Sequence, residues 1–381
     1  MRAWSDTTQP PPGDPATLEE LRRAAAADAG AADPAAADPA TANAAPASPS
    51  PSASADPGTP RPADSSLPTG AHRHGDEVHL EAHAHPHAPA PDDGRPIIGI
   101  VGGGPVGLTL GAALAAAGWQ VGAVASRDPA RRERFRQLVP GARAFAEPAG
   151  ILDECQLAII AVPDDAIADV AAGMRLYSGQ ALVHTSGLHG TEVLAAARAA
   201  GTSCGSFHPL VAFADVDRAL AALRGATVAI EGDEDILDVL AEMAQSIGAL
   251  PVRLAPGSKP AYHAAAVLAA GGLVALLDVI AEVAAPAGLD EAGVLAVYGP
   301  LAAQALGNAR ALGIAPALTG PAVRGDAGTI EAHLAALEGS APATLDAYRA
   351  LVRRQVSIAE ARRGLAPETA ARLRAELADR R

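Results

Sequence analysis

A glycine-rich turn between a strand and a helix constrains this chain more than any other feature of its sequence. The β-branched run at 96–101 passes into glycines at positions 102, 103, 104 and 107, and an Ala/Leu-rich helical stretch follows at once. In dinucleotide-binding βαβ units such glycines permit the tight turn, admit the pyrophosphate and let the helix pack on the strand. We predict that this turn binds a dinucleotide through Gly102, Gly104, Pro105, Val106 and Gly107; a turn without a ligand is the alternative.

From Arg95 onward, short β-branched runs alternate with stretches of helical period, and after residue 256 only helical segments follow. This order is typical of βαβ units around a parallel sheet. We predict an α/β Rossmann domain with a mostly parallel sheet at 96–256 and an all-α C-terminal domain at 257–381. The predicted strands are 96–101, 120–126, 157–162, 181–185, 202–207, 227–231 and 251–254, and the predicted C-terminal helices are 258–285, 290–312, 326–338, 343–361 and 366–380.

Residues 1–95 hold half of the chain's 32 prolines and little Val, Ile, Leu or Phe. Such a segment cannot offset its ordering entropy by burial, so we predict a disordered tail. Its closely spaced histidines are His72, His74, His79, His83, His85 and His87. Imidazoles bind Zn or Ni, but no cysteine or fixed scaffold accompanies these, and we predict no structural metal.

The overall composition narrows the class of partner and the location. A formal net charge of -14 disfavours nucleic acid and anionic membrane surfaces as partners. The chain has only two cysteines, Cys155 and Cys204, and its start lacks the pattern of a signal peptide, so we predict a cytoplasmic protein. The most apolar stretch, 264–277, is shorter than the roughly 20 residues that span a bilayer, and we predict a buried helix there.

The end of the second predicted strand carries the signal for cofactor choice. Ser126 and Arg127 stand where a site for NAD usually places Asp or Glu, and Arg131 and Arg132 follow one helical turn later. A hydroxyl and guanidinium groups suit a 2′-phosphate, whereas Asp128 is placed to cap the next helix. We therefore predict NADP rather than NAD, bound through Ser126, Arg127 and Arg131.

A small apolar turn follows the third predicted strand. Because ligands bind at the carboxyl edge of such sheets, Ala161, Val162 and Pro163 are predicted to lie beside the nicotinamide. A tight loop without a ligand contact is the alternative.

Lys259 is the only lysine in the chain, among 29 Lys and Arg residues. Arginine does not release its proton near neutral pH, whereas a lysine in a partly dry cleft does, so we predict Lys259 as the acid or base. A solvated lysine at a helix start is the alternative. His263 shares its helix face by the i, i+4 rule, with Tyr262 adjacent.

Two further strand ends carry polar groups. His184, Thr185 and Ser186 end one predicted strand, and His208 ends the next. Each histidine is either a structural residue or faces a ligand. We predict the catalytic set Lys259, His208, His263 and Ser186.

The segment 319–326 in the helical region combines Arg324 with Asp326. It either grips an anionic substrate through Arg324 or is a helix start capped by Asp326, with Arg324 on the surface.

The ordered motifs GIVGGGPVG, VASRDP, AVPD, HTSG, SFHPL, the Lys259 helix and LTGPAVRGD resemble one family of two-domain proteins. These are Rossmann-like relatives of pyrroline-5-carboxylate reductase, 3-hydroxyacid dehydrogenase and 6-phosphogluconate dehydrogenase, with a C-terminal helical domain of unknown function. The resemblance covers about residues 96–365. It implies an NADP-binding fold, a homodimer formed through the helical domain and an oxidoreductase activity.

Two finer resemblances concern the catalytic residues. In 3-hydroxyacid dehydrogenases a lysine donates the proton and an asparagine four residues later orients the substrate, which implies Lys259 as the acid or base, with His263 at the asparagine position. SFHP at 206–209 also resembles a strand end of prephenate-type dehydrogenases.

These features predict an NADP(H)-dependent oxidoreductase that transfers a hydride to or from a small carbonyl, hydroxy acid or imine. His208 and His263 would orient the substrate, and Ser186 and Arg324 would bind its polar groups. The alternative is a non-catalytic, redox-responsive regulatory protein that binds NADP(H).

Overall fold

The computed structural model of the protein describes residues 72–74, 77–79, 94–174, 176, 179–362 and 364–378. Most of the predicted tail, including His83, His85 and His87, lies outside the described residues. Two short strands within the tail, β1 (His72–His74) and β2 (Glu77–His79), pair antiparallel, with His72 opposite His79. The composition of the tail did not predict them.

The main sheet contains the remaining eight described strands. They are β3 (Ile98–Val101), β4 (Val121–Ala125), β5 (Arg143–Phe145), β6 (Leu157–Ile160), β7 (Ala181–His184), β8 (Ser203–Pro209), β9 (Thr227–Gly232) and β10 (Leu250–Arg253). Seven of the eight fall on predicted strands. Strand β5 was missed because it has three residues, none of them β-branched.

The strand order is β10-β9-β8-β7-β6-β3-β4-β5, and every neighbouring pair is parallel except β8 with β9. The mostly parallel Rossmann sheet is therefore confirmed. Strands β3 and β6 are buried along their whole length, because helices cover both faces of the sheet. The two apolar layers contain Leu110 and Phe135 on one face and Ile151 and Leu194 on the other.

The helices of the α/β region are α1 (Pro105–Ala116), α2 (Pro129–Leu138), α3 (Ile167–Gly173), α4 (Ala195–Ala199), α5 (Val216–Leu223) and α6 (Glu234–Ser246). The helices that follow the sheet are α7 (Lys259–Ala269), α8 (Gly271–Ala284), α9 (Glu291–Leu312), α10 (Ile314–Ala317), α11 (Pro321–Arg324), α12 (Ala327–Ser340), α13 (Leu345–Ala361) and α14 (Pro367–Glu376). The predicted all-α C-terminal region is confirmed.

Aspartates define the starts of several helices. The carboxylates of Asp128, Asp215, Asp290 and Asp326 accept backbone N–H groups at the first turns of α2, α5, α9 and α12. Such a cap contributes about 1 kcal/mol. The predicted cap at Asp128 is confirmed, and so is the capping alternative for Asp326.

The C-terminal helices form a separate core, in which Ile330, Val356 and Leu373 are fully buried. Helices α7 and α8 do not join it. The prediction of a buried helix at 264–277 is wrong, because Leu268 is 74% exposed and Val274 is 67% exposed. The apolar composition of α7 and α8 favours covering them, but the covering surface need not belong to the same chain.

The stretch Lys259–Ala287 spans 29 residues and contains an 18-residue window with a mean hydropathy of 2.3, so by length and composition it would suffice to cross a membrane. Helix α9 adds exposed apolar side chains, among them Leu301 and Leu306. We refer to the outward sides of α7, α8 and α9 as the apolar face.

Candidate functional site

The glycine turn follows β3 and opens α1. Gly102 has φ 112°, and a Cβ there would overlap the carbonyl oxygen of Ala161 at the end of β6. A Cβ on Gly107 would overlap the carbonyl oxygen of Gly102, so helix and turn touch at this point. A Cβ on Gly104 would meet nothing closer than Arg131 Nη1 at 3.9 Å. The turn therefore leaves space above Gly104, at the N-terminus of α1, where free N–H groups attract anions.

A cleft of about 1230 Å³ runs along the carboxyl edge of the sheet from this turn. Ten of the eleven predicted cofactor-binding residues line it. The eleventh, Gly107, does not line it and instead packs against Gly102 of the turn. The residues of this set that line the cleft are Gly102, Gly104, Pro105, Val106, Ser126, Arg127, Arg131, Ala161, Val162 and Pro163. The wall at 146–149 was not predicted, because it follows the unpredicted strand β5.

One end of the cleft is basic. Ser126, Arg127 and Arg131 line it, and Arg131 Nε lies 3.3 Å from Asp128 Oδ2. Arg132 instead donates from Nη1 to the carbonyl oxygens of Ser126, at 2.5 Å, and Arg127, at 3.2 Å. Arg132 therefore braces the loop that presents Ser126 and Arg127, and the exposed guanidinium groups of Arg127 and Arg131 remain beside the cleft.

The other end of the cleft reaches Thr185, at the end of β7. His208 Nδ1 lies 3.0 Å from the carbonyl oxygen of Thr185. Because a carbonyl only accepts hydrogen bonds, Nδ1 carries the hydrogen, and Nε2 of the neutral ring is left as an acceptor. The backbone thus selects the tautomer of His208, and burial lowers its pKa.

Three side chains converge where the chain passes Gly187. A Cβ on Gly187 would lie 2.7 Å from His208 Nε2 and closer still to His263 Nδ1. The two imidazole rings are 5.6 Å apart between centroids, at 75°. His263 Nδ1 and the Tyr262 hydroxyl are buried and have no hydrogen-bond partner among the described residues. Beside the cleft, these two atoms are available to a bound molecule that can donate or accept a hydrogen bond.

Lys259 lies at the first turn of α7 and is only 1% exposed. Its Nζ donates to the carbonyl oxygen of Ser186 at 2.7 Å and to Ser206 Oγ at 2.9 Å. Burial lowers the pKa of Lys259 from 10.5 to about 8, and the carboxylates of Glu231, Glu192 and Asp164 oppose part of that fall. This lysine is not the solvated alternative.

His184 and Ser186 hold the turn that receives the lysine. His184 is fully buried; its Nδ1 accepts from the Ser186 N–H at 3.2 Å, and its Nε2 donates to the Gly190 carbonyl oxygen at 3.1 Å. Burial lowers the pKa of His184 to about 3, so the ring is neutral and structural. Ser186 Oγ accepts from the N–H groups of Leu188, at 3.1 Å, and His189, at 3.0 Å, and therefore shapes the turn.

The structure thus brings Lys259, His208, His263 and Ser186 together next to Thr185, although none of the four is among the residues that line the cleft. Ser186 reaches Lys259 through its carbonyl and not through its hydroxyl. Arg324 is exposed on α11, a helix that packs against α12 and α13. Ser206 and Glu231 were missed, because only the pairing of distant strands brings them to Lys259.

Comparison with known families accounts for both parts of this architecture. Residues 87–209 match the model of the Rossmann-like domain, and residues 226–355 match the model of a domain of unknown function, DUF2520. The chain therefore combines a Rossmann-like domain with a DUF2520 domain, each match covering about a third of its length. The DUF2520 match begins at residue 226 and therefore includes strands β9 and β10 of the sheet and helix α6 between them. No curated protein matches the chain.

Solved structures share this arrangement over most of their length. A protein from Thermotoga maritima is 27% identical, with a TM-score of 0.55 over 70% of this chain and 100% of that one. A candidate NADP oxidoreductase from Bacteroides fragilis is 23% identical, with a TM-score of 0.59 over 69% and 98%. An imine reductase from Pseudomonas sp. is 20% identical, with a TM-score of 0.54 over 71% and 99%. These likenesses establish the fold.

Proposed function

We propose that this protein is an NADP(H)-dependent oxidoreductase that acts on a small carbonyl, hydroxy acid or imine. The observation that carries the proposal is the continuity of the cleft. It begins at a glycine turn shaped for a pyrophosphate and ends at Thr185, whose carbonyl oxygen positions His208. A cofactor site and a group of titratable side chains therefore share one edge of the sheet, where ligands of such folds bind.

The residues of the cleft fit NADP(H). The space above Gly104 and the N-terminus of α1 would receive the pyrophosphate, and Ser126, Arg127 and Arg131 would receive the 2′-phosphate. Ala161, Val162 and Pro163 would lie beside the nicotinamide. The Bacteroides fragilis protein of similar fold, described as a candidate NADP oxidoreductase, supports this choice of cofactor.

When bound, the cofactor supplies or receives the hydride. Lys259 would hold the proton that the substrate oxygen or nitrogen needs during reduction. Two of its three N–H groups are bound by Ser186 and Ser206, and among the described residues no acceptor takes the third. With a pKa of about 8, the amine is charged at neutral pH and can release a proton near it.

The histidines and Tyr262 would orient the substrate. His208 Nε2 is an acceptor, the unpartnered His263 Nδ1 lies on the same side of Gly187, and the Tyr262 ring is 6.3 Å from the His208 ring between centroids. A substrate N–H or O–H that donates to His208 would be turned toward Gly187, the residue that follows Ser186, whose carbonyl oxygen the Lys259 amine contacts. The imine reductase of similar fold supports the inclusion of imines among the candidate substrates.

The proposal includes a homodimer formed through the apolar face. Val267, Leu268, Val274, Leu301 and Leu306 are each more than half exposed, and patches of this kind mark interaction sites. A second copy would cover them with the same face. Light scattering on the full chain tests this: a dimer mass that falls to a monomer mass in Val274→Glu supports it, whereas a monomeric wild type that binds lipid vesicles contradicts it.

A cytoplasmic location agrees with the two cysteines, Cys155 and Cys204, which are free and buried. In a reducing compartment both would remain thiols.

The experiment that tests the function is a calorimetric titration with NADPH and NADH, followed by NADPH oxidation assays on small carbonyls and imines. The expected result is tight binding of NADPH and proton-coupled oxidation by at least one substrate. Binding without turnover of any substrate favours the regulatory alternative. Absence of binding by either nucleotide overturns the proposal.

A further inference from the structure

A row of polar residues crosses three neighbouring strands beneath the candidate site. His184 of β7 pairs in register with Ser206 of β8, and Ser206 pairs in register with Glu231 of β9. Directly paired residues of neighbouring strands project from the same face of a sheet. Glu231 therefore emerges beside the serine whose hydroxyl accepts the Lys259 hydrogen bond.

The Lys259 ammonium is incompletely compensated by the groups it touches. The Ser186 carbonyl oxygen and Ser206 Oγ satisfy two N–H donors, but both are neutral. A charge this deeply buried is costly unless an opposite charge lies near it. The opposite charge that compensates the ammonium must therefore come from a nearby carboxylate.

Glu231 meets this requirement. Its Oε2 is buried and has no hydrogen-bond partner among the described residues. Its Oε1 lies 3.2 Å from the place a Cβ on Gly190 would take, so the carboxyl group reaches over the same residue whose carbonyl oxygen His184 contacts. Burial raises the pKa of Glu231, and Lys259 opposes that rise.

The other charged and titratable groups around the pair differ from Glu231 in position. Glu192 is exposed and already accepts the Gly190 N–H at 2.9 Å, while Asp164 follows β6, which β7 and β8 separate from the β9 strand of Glu231. His184 and His208 have lowered pKa values and are neutral at pH 7. Arg198, which also faces Glu231, donates to Asp233 at 2.8 Å.

We propose that Glu231 is a positioning residue, whose carboxylate compensates the buried Lys259 ammonium from the neighbouring strand and keeps the amine charged at neutral pH. Substitution of Glu231 by Gln leaves the ammonium with neutral partners, and the amine then loses its proton at lower pH. Only the kinetic consequence of this role rests on the proposed oxidoreductase function.

The unique lysine makes a direct test simple. Growth on lysine labelled with ¹³C at Cε gives one lysine resonance in the full chain, and its movement with pH reports the protonation of Lys259. In Glu231→Gln the midpoint should fall by about one pH unit or more, as expected when a nearby opposite charge is removed. Glu192→Gln should give a smaller fall, since Glu192 is exposed.

Glu234→Gln is the matched control, because the Glu234 side chain is 89% exposed and lies 3.8 Å from Arg253. Its midpoint should equal that of the wild type. A midpoint in Glu231→Gln within about 0.3 of the wild-type value overturns the inference. Should that variant not fold, Glu231→Asp keeps the charge but moves the carboxylate away from Lys259, so the lysine midpoint should fall. An unchanged midpoint in Glu231→Asp overturns the inference equally.

The kinetic readout separates the two proposals. If the protein is a reductase, the pH above which kcat falls should move down in Glu231→Gln together with the lysine midpoint, with KM for NADPH unchanged. A lysine midpoint that moves in a protein without turnover leaves the positioning role standing and removes only the oxidoreductase assignment.

Discussion

The two ends of the cleft are built in different ways. The glycine end is made from consecutive residues, and its shape depends on backbone φ angles and on absent side chains at Gly102, Gly104 and Gly107. The Thr185 end is assembled from β7, β8, β9 and α7, and its central cation is 1% exposed. The glycine end is open and basic, whereas the Thr185 end is closed and depends on partners that are distant in sequence. Substitutions should therefore separate binding from chemistry.

The largest separation is expected for Lys259→Met. Turnover should fall by about a thousandfold or more, because the acid is removed, whereas NADPH affinity should stay within about twofold. Steady-state kinetics and calorimetry on the same preparation measure both quantities. Lys259→Arg keeps the charge but holds its proton, so it should lose turnover as well. Normal turnover in either variant would remove the lysine from the mechanism.

The converse effect is expected for Gly102→Ala. A methyl group at φ 112° overlaps the Ala161 carbonyl oxygen, so the turn must open, and NADPH affinity should fall by about a hundredfold or more. Gly299→Ala, in the interior of α9 with open space around it, is the control and should bind normally. Equal affinities for the two variants would mean that the glycine turn does not hold the nucleotide.

A smaller and more selective effect is expected for Arg127→Ala. Loss of a charge-assisted hydrogen bond of about 1.5–3 kcal/mol should weaken NADPH binding roughly 10- to 100-fold and leave NADH binding unchanged. Arg134→Ala removes an exposed arginine of the same helix region that does not line the cleft, and it should change neither affinity. A parallel loss for both nucleotides in Arg127→Ala would contradict a 2′-phosphate site.

The mildest perturbation is pH. If Lys259 is the acid of the proposed reduction, the reaction requires the protonated amine, and the pKa of Lys259 is about 8. The rate of reduction should therefore be level below that value and fall about tenfold per pH unit above it, since the unprotonated form accumulates. Oxidation of the reduced product should rise over the same range. A reduction rate that is flat from pH 7 to 10 would exclude Lys259 as the acid.

The sequence predicted the elements of this fold well, because their signals are local. Six of the seven sheet strands that fall on predicted ones contain β-branched residues, and the starts of α2 and α12 follow capping aspartates. It also predicted ten of the residues that line the cleft, and composition alone singled out Lys259. Strand β5 escaped prediction, since its three residues include only one, Phe145, that favours strands, and the cleft wall that follows it was missed with it.

What the sequence determined by itself is the nucleotide-shaped turn, because φ freedom and the absence of a Cβ belong to single residues. What only the tertiary structure decided is the setting of Lys259. Its contacts with Ser186 and Ser206 and its nearness to Glu231 depend on the register of β7, β8 and β9, which no local pattern encodes. The tertiary structure also decided the exposure of α7 and α8, since the burial of a helix depends on which surface packs against it and not on the helix alone.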